Sequence, residues 1–389
     1  MDALTFILFY VVAWFTVYAV GRMVNAEDFG FDLSPLVFSY KTTRFNSWVS
    51  SLAGRGRRLW LVLANVGIAT GVGLMVFAIY TLGNNLFNFV YHVEAATPVQ
   101  PLLPLPGLTI SWDTFPYLLL AISLVLVTHE LAHGVVARAD NIPLKSVGVF
   151  VAVFLFGGFV EPEEKQLERA PDVTQLRVYA AGAFSNVAIG LVVLLLFTNF
   201  AVTINPFYTT NYVGVKVEGL IPNYPLENVG VHLGDVIIGV NGTSIHTIND
   251  LQQVIVQVTP GMSLTITTLR GSYTINTKPD PKNATHGLMG INSMSEYITY
   301  NSKLPLLPNN LPYHLFRIEL WLSLVFINVG VINMLPLYPL DGDKFLETLF
   351  RAAGIKNPKG LRKLATVISL AILLLNFILS YAQFGFLKF

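Results

Sequence analysis

Two histidines and a glutamate stand within five residues in the segment His129-Glu-Leu-Ala-His133. On an α-helix, side chains four positions apart lie one turn apart on the same face. Both imidazoles can therefore reach one metal ion, and this spacing is typical of a zinc site. Glu130 then lies beside the open position of the metal, where a carboxylate can take a proton from water. The chain has no cysteine, so any transition metal must be held by His, Asp, Glu or water.

A catalytic zinc usually takes three protein ligands and leaves a fourth position to water, so a third ligand must come from elsewhere in the chain. Asp341 is the best candidate. It stands in the segment Asn333-Met-Leu-Pro-Leu-Tyr-Pro-Leu-Asp-Gly342, where two prolines break a helix and the glycine permits a tight backbone. Asp341 has an alternative role as the N-cap of a helix over residues 344–351, which Asp343 fills equally well.

The histidine pair directly follows the apolar run 118–127. Ionisable groups are costly in the hydrocarbon of a membrane and need one another or a cation as partners. The sequence therefore predicts a metal site at membrane depth, with Zn²⁺ as the cofactor. Two alternatives stay open: a polar cluster that neighbouring helices satisfy, and a proton relay in an ion or proton transporter.

The composition is that of a polytopic membrane protein. Hydrophobic residues make up 53% of the chain and charged residues only 12%, against about 25% charged residues in a soluble domain. The lipid bilayer is therefore expected as a partner. A formal net charge of +1 leaves no general basic surface, so nucleic acid is not expected as a partner. About 20 residues of helix cross the hydrocarbon core. Six predicted spans meet this requirement: 4–20, 60–82, 116–137, 176–200, 313–335 and 361–381.

Basic residues predict the orientation of these spans. The loop between the first two spans contains six of them, Arg22, Lys41, Arg44, Arg55, Arg57 and Arg58, whereas residues 83–115 contain none. Because basic loops stay in the cytoplasm, the first loop is expected inside the cell and residues 201–312 outside it. The predicted localisation is the cell membrane, with several spans and both termini extracytoplasmic.

Residues 201–312 have a different pattern, in which alternating apolar residues are broken by Gly, Pro and Asn. This pattern predicts a soluble β-rich module. The segment Gly234-Asp-Val-Ile-Ile-Gly-Val-Asn-Gly242, followed by a helical stretch at 248–257, resembles a PDZ domain over residues 211–280. PDZ domains add extended peptides to a sheet edge, so the resemblance implies a peptide ligand. The alternative is a rigid spacer that binds nothing.

Valine occupies every second position from Val147 to Val153, and Phe154 and two glycines follow. The segment is too short for a further span. Backbone groups at membrane depth must be paired, so the pattern favours a re-entrant hairpin packed on protein, with a free edge for an unwound substrate. A buried loop without a catalytic part is the alternative.

An intramembrane His-Glu-x-x-His, followed on a later span by Asn-x-x-Pro-x-x-x-Leu-Asp-Gly, is the signature of site-2 proteases. The chain resembles this family over its third to fifth predicted spans and the PDZ insertion. The resemblance implies an intramembrane zinc metalloprotease that cleaves single-span membrane-protein substrates in or near their transmembrane segment, in regulated intramembrane proteolysis. It also implies that His129, His133 and Asp341 bind the metal and that Glu130 is the catalytic base. It gives no role to Asp343.

The segment Gly182-Ala-Phe-Ser-Asn186 in the fourth predicted span resembles a Gly-x-x-x-Asn element of the same family, which lies near the substrate. The resemblance implies a substrate-binding role for Asn186, whose amide would hydrogen-bond a peptide carbonyl or the oxyanion. Asn333 is expected to act likewise. The alternatives are that Asn186 hydrogen-bonds between two helices, and that Asn333 only satisfies backbone groups of the broken helix.

The predicted fold is a polytopic α-helical membrane protein of about six transmembrane helices with an inserted extracytoplasmic β-rich PDZ-like domain. The predicted regions are 1–110 with the N-terminal spans, 111–205 with the catalytic core and hairpin, 206–290 with the PDZ-like domain, and 291–389 with the Leu-Asp-Gly motif and last span. A transporter would often show repeated halves, and the sequence has no such repeat. A catalytically inactive PDZ-bearing scaffold would lack part of the ligand set, which is complete here.

Overall fold

The computed structural model describes residues 3–102, 104–152 and 155–387. The chain forms two compact units. The first comprises the described residues up to Thr198 and from Phe316 onward, and the second is Asn199–Leu315. All residues of the predicted metal site belong to the first unit.

Helices make up most of the first unit, and a few short ones lie in the second. In chain order the α-helices of both units are α1 Ala3–Met23, α2 Asn46–Arg55, α3 Arg57–Tyr91, α4 Phe115–Ala139, α5 Glu164–Arg169, α6 Asp172–Thr198, α7 Phe200–Ile204, α8 Pro225–Asn228, α9 Ile248–Ile255, α10 Leu311–Asn333, α11 Asp341–Ala352 and α12 Pro358–Phe384. Short 3-10 helices lie at Ala26–Phe29 and Val93–Ala95. The strands are β1 Phe31–Leu33, β2 Val37–Thr42, β3 Leu144–Ala152, β4 Leu155–Pro162, β5 Tyr208–Leu220, β6 Val236–Val240, β7 Thr243–Ser244, β8 Ser263–Thr268, β9 Ser272–Asn276, β10 Lys278–Asp280, β11 Asn283–Leu288 and β12 Ile291–Ser302.

Within the described residues, five helices are long and apolar enough to cross a membrane: α3, α4, α6, α10 and α12. They coincide with the second to sixth predicted spans, so the prediction of a multi-pass helical membrane protein is confirmed. The apolar part of α1, Leu8–Met23, is shorter than these five. A sixth span therefore stays a prediction.

A four-stranded antiparallel sheet runs in the order β1, β2, β3, β4. β3 and β4 form the predicted hairpin, in which Val149 lies opposite Gly158. The two residues Val153 and Phe154 of the predicted alternation lie outside the described residues. Two strands from the N-terminal region extend this sheet, because β2 pairs with β3 from Val37 opposite Ala152 onward. The sequence pattern did not predict that extension.

The helix α4 packs closely against β4. A Cβ atom at Gly134 would overlap the side chain of Val160, so only glycine permits this approach one residue after the second histidine. The buried core beside it contains Val136 on α4, Met334 after α10 and Phe345 on α11. These contacts hold the end of α4, the hairpin and α11 together around the predicted site.

The second unit contains a six-stranded sheet. Five of its strands pair in the order β12, β5, β6, β8, β9, and β7 pairs with β6. Its core contains Val215, Ile237, Leu251 and Leu264. β12 pairs with the full length of β5, from Ile291↔Leu220 to Ser302↔Tyr208. The predicted PDZ-like boundaries, 206–290, leave out this strand, and the PDZ identity and the four domain boundaries stay predictions.

Candidate metal centre

Three side chains from distant parts of the sequence meet at one point. The Nε2 atoms of His129 and His133 lie 3.1 Å apart. Oδ2 of Asp341 lies 3.0 Å from Nε2 of His129 and 3.2 Å from Nε2 of His133. Both histidines are buried, with 6% and 8% of their surface exposed. Within the described residues, these three form the group of His, Asp and Glu side chains that could hold a metal ion.

The spacing of these three atoms fits a zinc ion. Zinc bonds of about 2.0–2.1 Å in a tetrahedral arrangement place neighbouring ligand atoms about 3.3 Å apart. The observed separations of 3.0, 3.1 and 3.2 Å are close to that value. Two neutral imidazoles and one carboxylate also leave a fourth position for water or substrate, as in catalytic zinc sites.

Gly182 on α6 leaves space beside the ligand atoms. A Cβ atom at this position would lie 2.5 Å from Nε2 of His129 and 2.5 Å from Nε2 of His133. Any larger residue would therefore occupy the place where these nitrogens converge. Gly182 therefore leaves room for the metal ligands and also allows α6 to pack on α4.

Asp341 reaches the histidines because α11 begins directly beside the end of α10. A Cβ atom at Gly342 would overlap the carbonyl oxygens of Met334 and Leu335, so glycine is required for this approach. The N-cap of α11 is Leu340, and no side chain caps the helix there. The alternative in which Asp341 is an N-cap is therefore wrong, and its carboxylate faces the histidines.

Asp343 has a different partner. Its Oδ1 lies 3.4 Å from Nε of Arg362 and 3.3 Å from Oγ1 of Thr366, both on α12. The side chain is buried, so this ion pair joins α11 to the last long helix. Asp343 thus has a structural contact that the sequence did not predict.

The second ring nitrogen of each histidine is held by α6. Nδ1 of His133 lies 2.6 Å from the carbonyl oxygen of Val178. Nδ1 of His129 lies 3.1 Å from Nδ2 of Asn186. Val178, Gly182 and Asn186 are four residues apart, so one face of α6 contacts both imidazoles. Such partners orient metal ligands and are as much part of a metal site as the ligands themselves.

A cavity of about 760 Å³ opens beside the ligands and is lined by Glu130, His133 and Asp341. Its walls include residues 159–162 of the edge strand β4 and residues 338–340 before α11. Glu130 is only partly buried, as expected for a group that must meet water and substrate. The cavity is within the 300–1,000 Å³ range of ligand sites.

Charged side chains surround the cavity in pairs. Nζ of Lys145 lies 2.6 Å from Oε1 of Glu161, and Nζ of Lys344 lies 3.1 Å from Oε1 of Glu164. Burial raises the pKa of Asp341, but the adjacent imidazoles outweigh this and hold its pKa below the usual range. A carboxylate binds a metal in its ionised form, and the lowered pKa favours that form.

The two predicted substrate-binding asparagines are placed differently. Asn186 is fully buried, with 0% exposed, and its described contact is with His129. Asn333 is half-buried at the end of α10. Neither is among the residues that line the cavity. Substrate contact by these asparagines stays a prediction.

The profile of peptidase family M50 matches residues 117–376, well over half of the chain. The chain belongs to this family. The matched region contains both histidines, Glu130 and Asp341, so the resemblance to site-2 proteases is confirmed together with the multi-pass architecture. A zinc cofactor agrees with this family and with the three ligand atoms.

Three proteins show sequence similarity to this M50 chain. A membrane-bound transcription factor site-2 protease homolog of Arabidopsis thaliana is 26% identical over 58% of this chain and 43% of its own length. A Clostridium perfringens protein, provisionally named a zinc metalloprotease, is 27% identical over 35% of this chain and 45% of its own length. An uncharacterized protein of Methanocaldococcus jannaschii is 24% identical over 85% of this chain and 81% of its own length. The first two alignments thus span less than half of those relatives.

Proposed function

We propose that this M50 chain is an intramembrane zinc metalloprotease that hydrolyses a peptide bond in or near a transmembrane segment of its substrate. One observation carries the proposal. Three ligand atoms from α4 and α11 lie within 3.2 Å of one another, and Glu130 lines the same cavity as His133 and Asp341. A carboxylate beside a three-ligand site is the arrangement that hydrolysis requires.

His129, His133 and Asp341 are the residues that would hold zinc. When bound, zinc supplies Lewis-acid polarisation of the scissile carbonyl and lowers the pKa of water toward ~7. Glu130 takes the proton from the attacking water and returns it to the nitrogen of the leaving amine. The half-buried position of Glu130 keeps its carboxylate in contact with the cavity, where both proton transfers take place.

Substrate binding by strand addition fits the sheet beside the cavity. β4 is an edge strand of its sheet, and residues 159–162 line the cavity wall. A helical substrate protects its peptide bonds through its own hydrogen bonds, so it must unwind before attack. Pairing with the backbone of β4 offers new partners for the groups that unwinding exposes.

The proposed substrates are single-span membrane proteins, cleaved in regulated intramembrane proteolysis. In this proposal the second unit lies outside the cell and acts as a PDZ-like filter, binding a peptide by addition to a sheet edge. β12 and β9 are the outer strands in the pairing order of its sheet. The charge asymmetry of the loops supports the orientation, with both termini extracytoplasmic.

The test is metal content measured together with cleavage. Protein purified in detergent is expected to hold one zinc per chain and to cleave a single-span substrate, whereas His129→Ala is expected to lose both. Chelation should abolish cleavage, and added zinc should restore it. Full proton or ion transport without zinc, in place of cleavage, would refute the proposal and favour a transporter.

A further inference from the structure

We propose that Asn186 is a positioning residue for His129, whose amide group selects the ring nitrogen that carries the proton and thereby presents Nε2 to the metal. This inference rests on the proposed function, because it concerns the same metal site. It assigns to Asn186 a contact with a metal ligand in place of a contact with substrate.

The two histidines are held by chemically different partners. Nδ1 of His133 faces the carbonyl oxygen of Val178 at 2.6 Å. A backbone carbonyl can only accept a hydrogen bond, so Nδ1 of His133 must carry the proton. Its Nε2 atom then has a free lone pair and is ready for a metal. The tautomer of His133 is thus fixed by the backbone of α6.

The tautomer of His129 is not fixed by the backbone. Its Nδ1 atom lies 3.1 Å from the amide group of Asn186, which offers a donor nitrogen and an acceptor oxygen. A metal at Nε2 needs the lone pair of that nitrogen, so the ring proton must be on Nδ1. The group that faces Nδ1 must then accept a hydrogen bond from it.

The amide oxygen of Asn186 is the acceptor that this tautomer requires. Rotation of the amide about its Cβ–Cγ bond places Oδ1 at Nδ1 of His129 and forms an N–H···O hydrogen bond. Among the described residues, Oδ1 of Asn186 is buried without a hydrogen-bond partner, so it is available for this contact.

With Oδ1 facing the ring, Asn186 holds the proton of His129 on Nδ1 and leaves the lone pair of Nε2 for a metal. Its complete burial excludes water as a substitute partner. Loss of such a partner typically weakens metal binding by 10–100-fold.

The test compares replacements of similar size at position 186. Asn186→Leu keeps the branched shape of the side chain and removes the acceptor, whereas Asn186→Asp keeps an acceptor in the same place. In a chelator competition, zinc affinity of Asn186→Leu is expected to fall by about 10–100-fold, and Asn186→Asp is expected to bind zinc at least as tightly as the wild type. A role in helix packing alone would be rescued by leucine, and a role in substrate contact alone would leave zinc affinity unchanged.

Wild-type protein and His129→Ala separate this inference from the proposed function. If the wild type binds no zinc, the proposed function fails. If the wild type binds zinc through His129 and Asn186→Leu binds it equally well, only the role of Asn186 fails. Equal weakening by leucine and aspartate would also overturn the inference. Should Asn186→Leu not give a monodisperse protein, Asn186→Ala removes the same acceptor without added bulk and is held to the same outcomes.

Discussion

Nε2 of His129 lies 3.0 Å from Oδ2 of Asp341, although 212 residues separate them in the sequence. The histidine is on α4, and the aspartate is the first residue of α11. Their meeting depends on the packing of α6 on α4, where Gly182 leaves space, and on the approach of α11 to residues 334–335, which Gly342 permits. Zinc affinity therefore reports on the tertiary structure of the first unit as well as on the ligands.

Replacement of the anionic ligand should weaken the metal site itself. Asp341→Asn exchanges a carboxylate for a neutral amide of the same shape, so zinc affinity is expected to fall at least ~10-fold. Cleavage should fall in parallel and recover partly at high zinc concentration. Equilibrium dialysis against buffered zinc, followed by a cleavage assay on the same samples, measures both quantities.

Asp343→Asn is the matched control, since Asp343 is two residues away and pairs with Arg362. This variant is expected to retain zinc but to unfold at lower temperature, because the ion pair between the buried carboxylate and Arg362 is weakened. Equal zinc loss in the two variants would argue against a specific ligand role for Asp341.

The position of Gly182 gives a prediction that concerns space and not charge. Gly182→Ala places a Cβ atom 2.5 Å from the Nε2 atoms of both histidines, so zinc binding should be lost or reduced beyond the ~10–100-fold typical of outer partners. Gly73→Ala on α3 is the control, because a Cβ atom there meets no atom within 4 Å. Normal zinc affinity in folded Gly182→Ala would show that the ligands converge elsewhere.

The local part of the site could be predicted from the sequence. His129 and His133 are one helical turn apart wherever the helix lies. Glu130 and Asp341 were candidates from the residues themselves, and the resemblance implied the same roles for them. The contact with the carbonyl of Val178 could not be predicted, because every residue type supplies a backbone carbonyl oxygen. Asn186 was recognised as part of a motif, but its contact with an imidazole depends on how α6 packs on α4.

The fold shows the same division between local and distant information. The five longest apolar helices were predicted because their length and composition are sufficient signals. The strands β1 and β2 were not, because they are short and β2 pairs with β3 more than one hundred residues later in the chain. Likewise, the strand β12 follows the predicted PDZ-like region, and only its register with β5 reveals that it completes the sheet.

Removal of the second unit should leave the metal site intact. The deletion must take β5 and β12 together, since they pair along their whole length. The amide of Lys303 donates to the carbonyl oxygen of Phe207 at 2.8 Å, so a short Gly/Ser linker can replace residues 208–302. Zinc affinity is expected to stay normal while substrate selection changes. Loss of zinc from a folded deletion variant would contradict separate roles for the two units.

The orientation in the membrane can be tested with introduced cysteines, because the chain has none of its own. Ser272 and Lys165 are both exposed. The basic loops predict that Ser272→Cys is labelled by an impermeant thiol reagent on intact cells and that Lys165→Cys is labelled only after the cells are opened. The reverse pattern would overturn the predicted orientation.

The role of Glu130 is the most direct test of the proposed hydrolysis. Glu130→Gln keeps the shape of the side chain but removes the base, while His129, His133 and Asp341 remain. The decisive measurement is the single-turnover cleavage rate of a single-span substrate, made on protein whose zinc content is determined in the same preparation. The account predicts one zinc per chain, as in the wild type, and cleavage slower by at least ~10²-fold. Cleavage by Glu130→Gln at the wild-type rate would contradict the proposed mechanism.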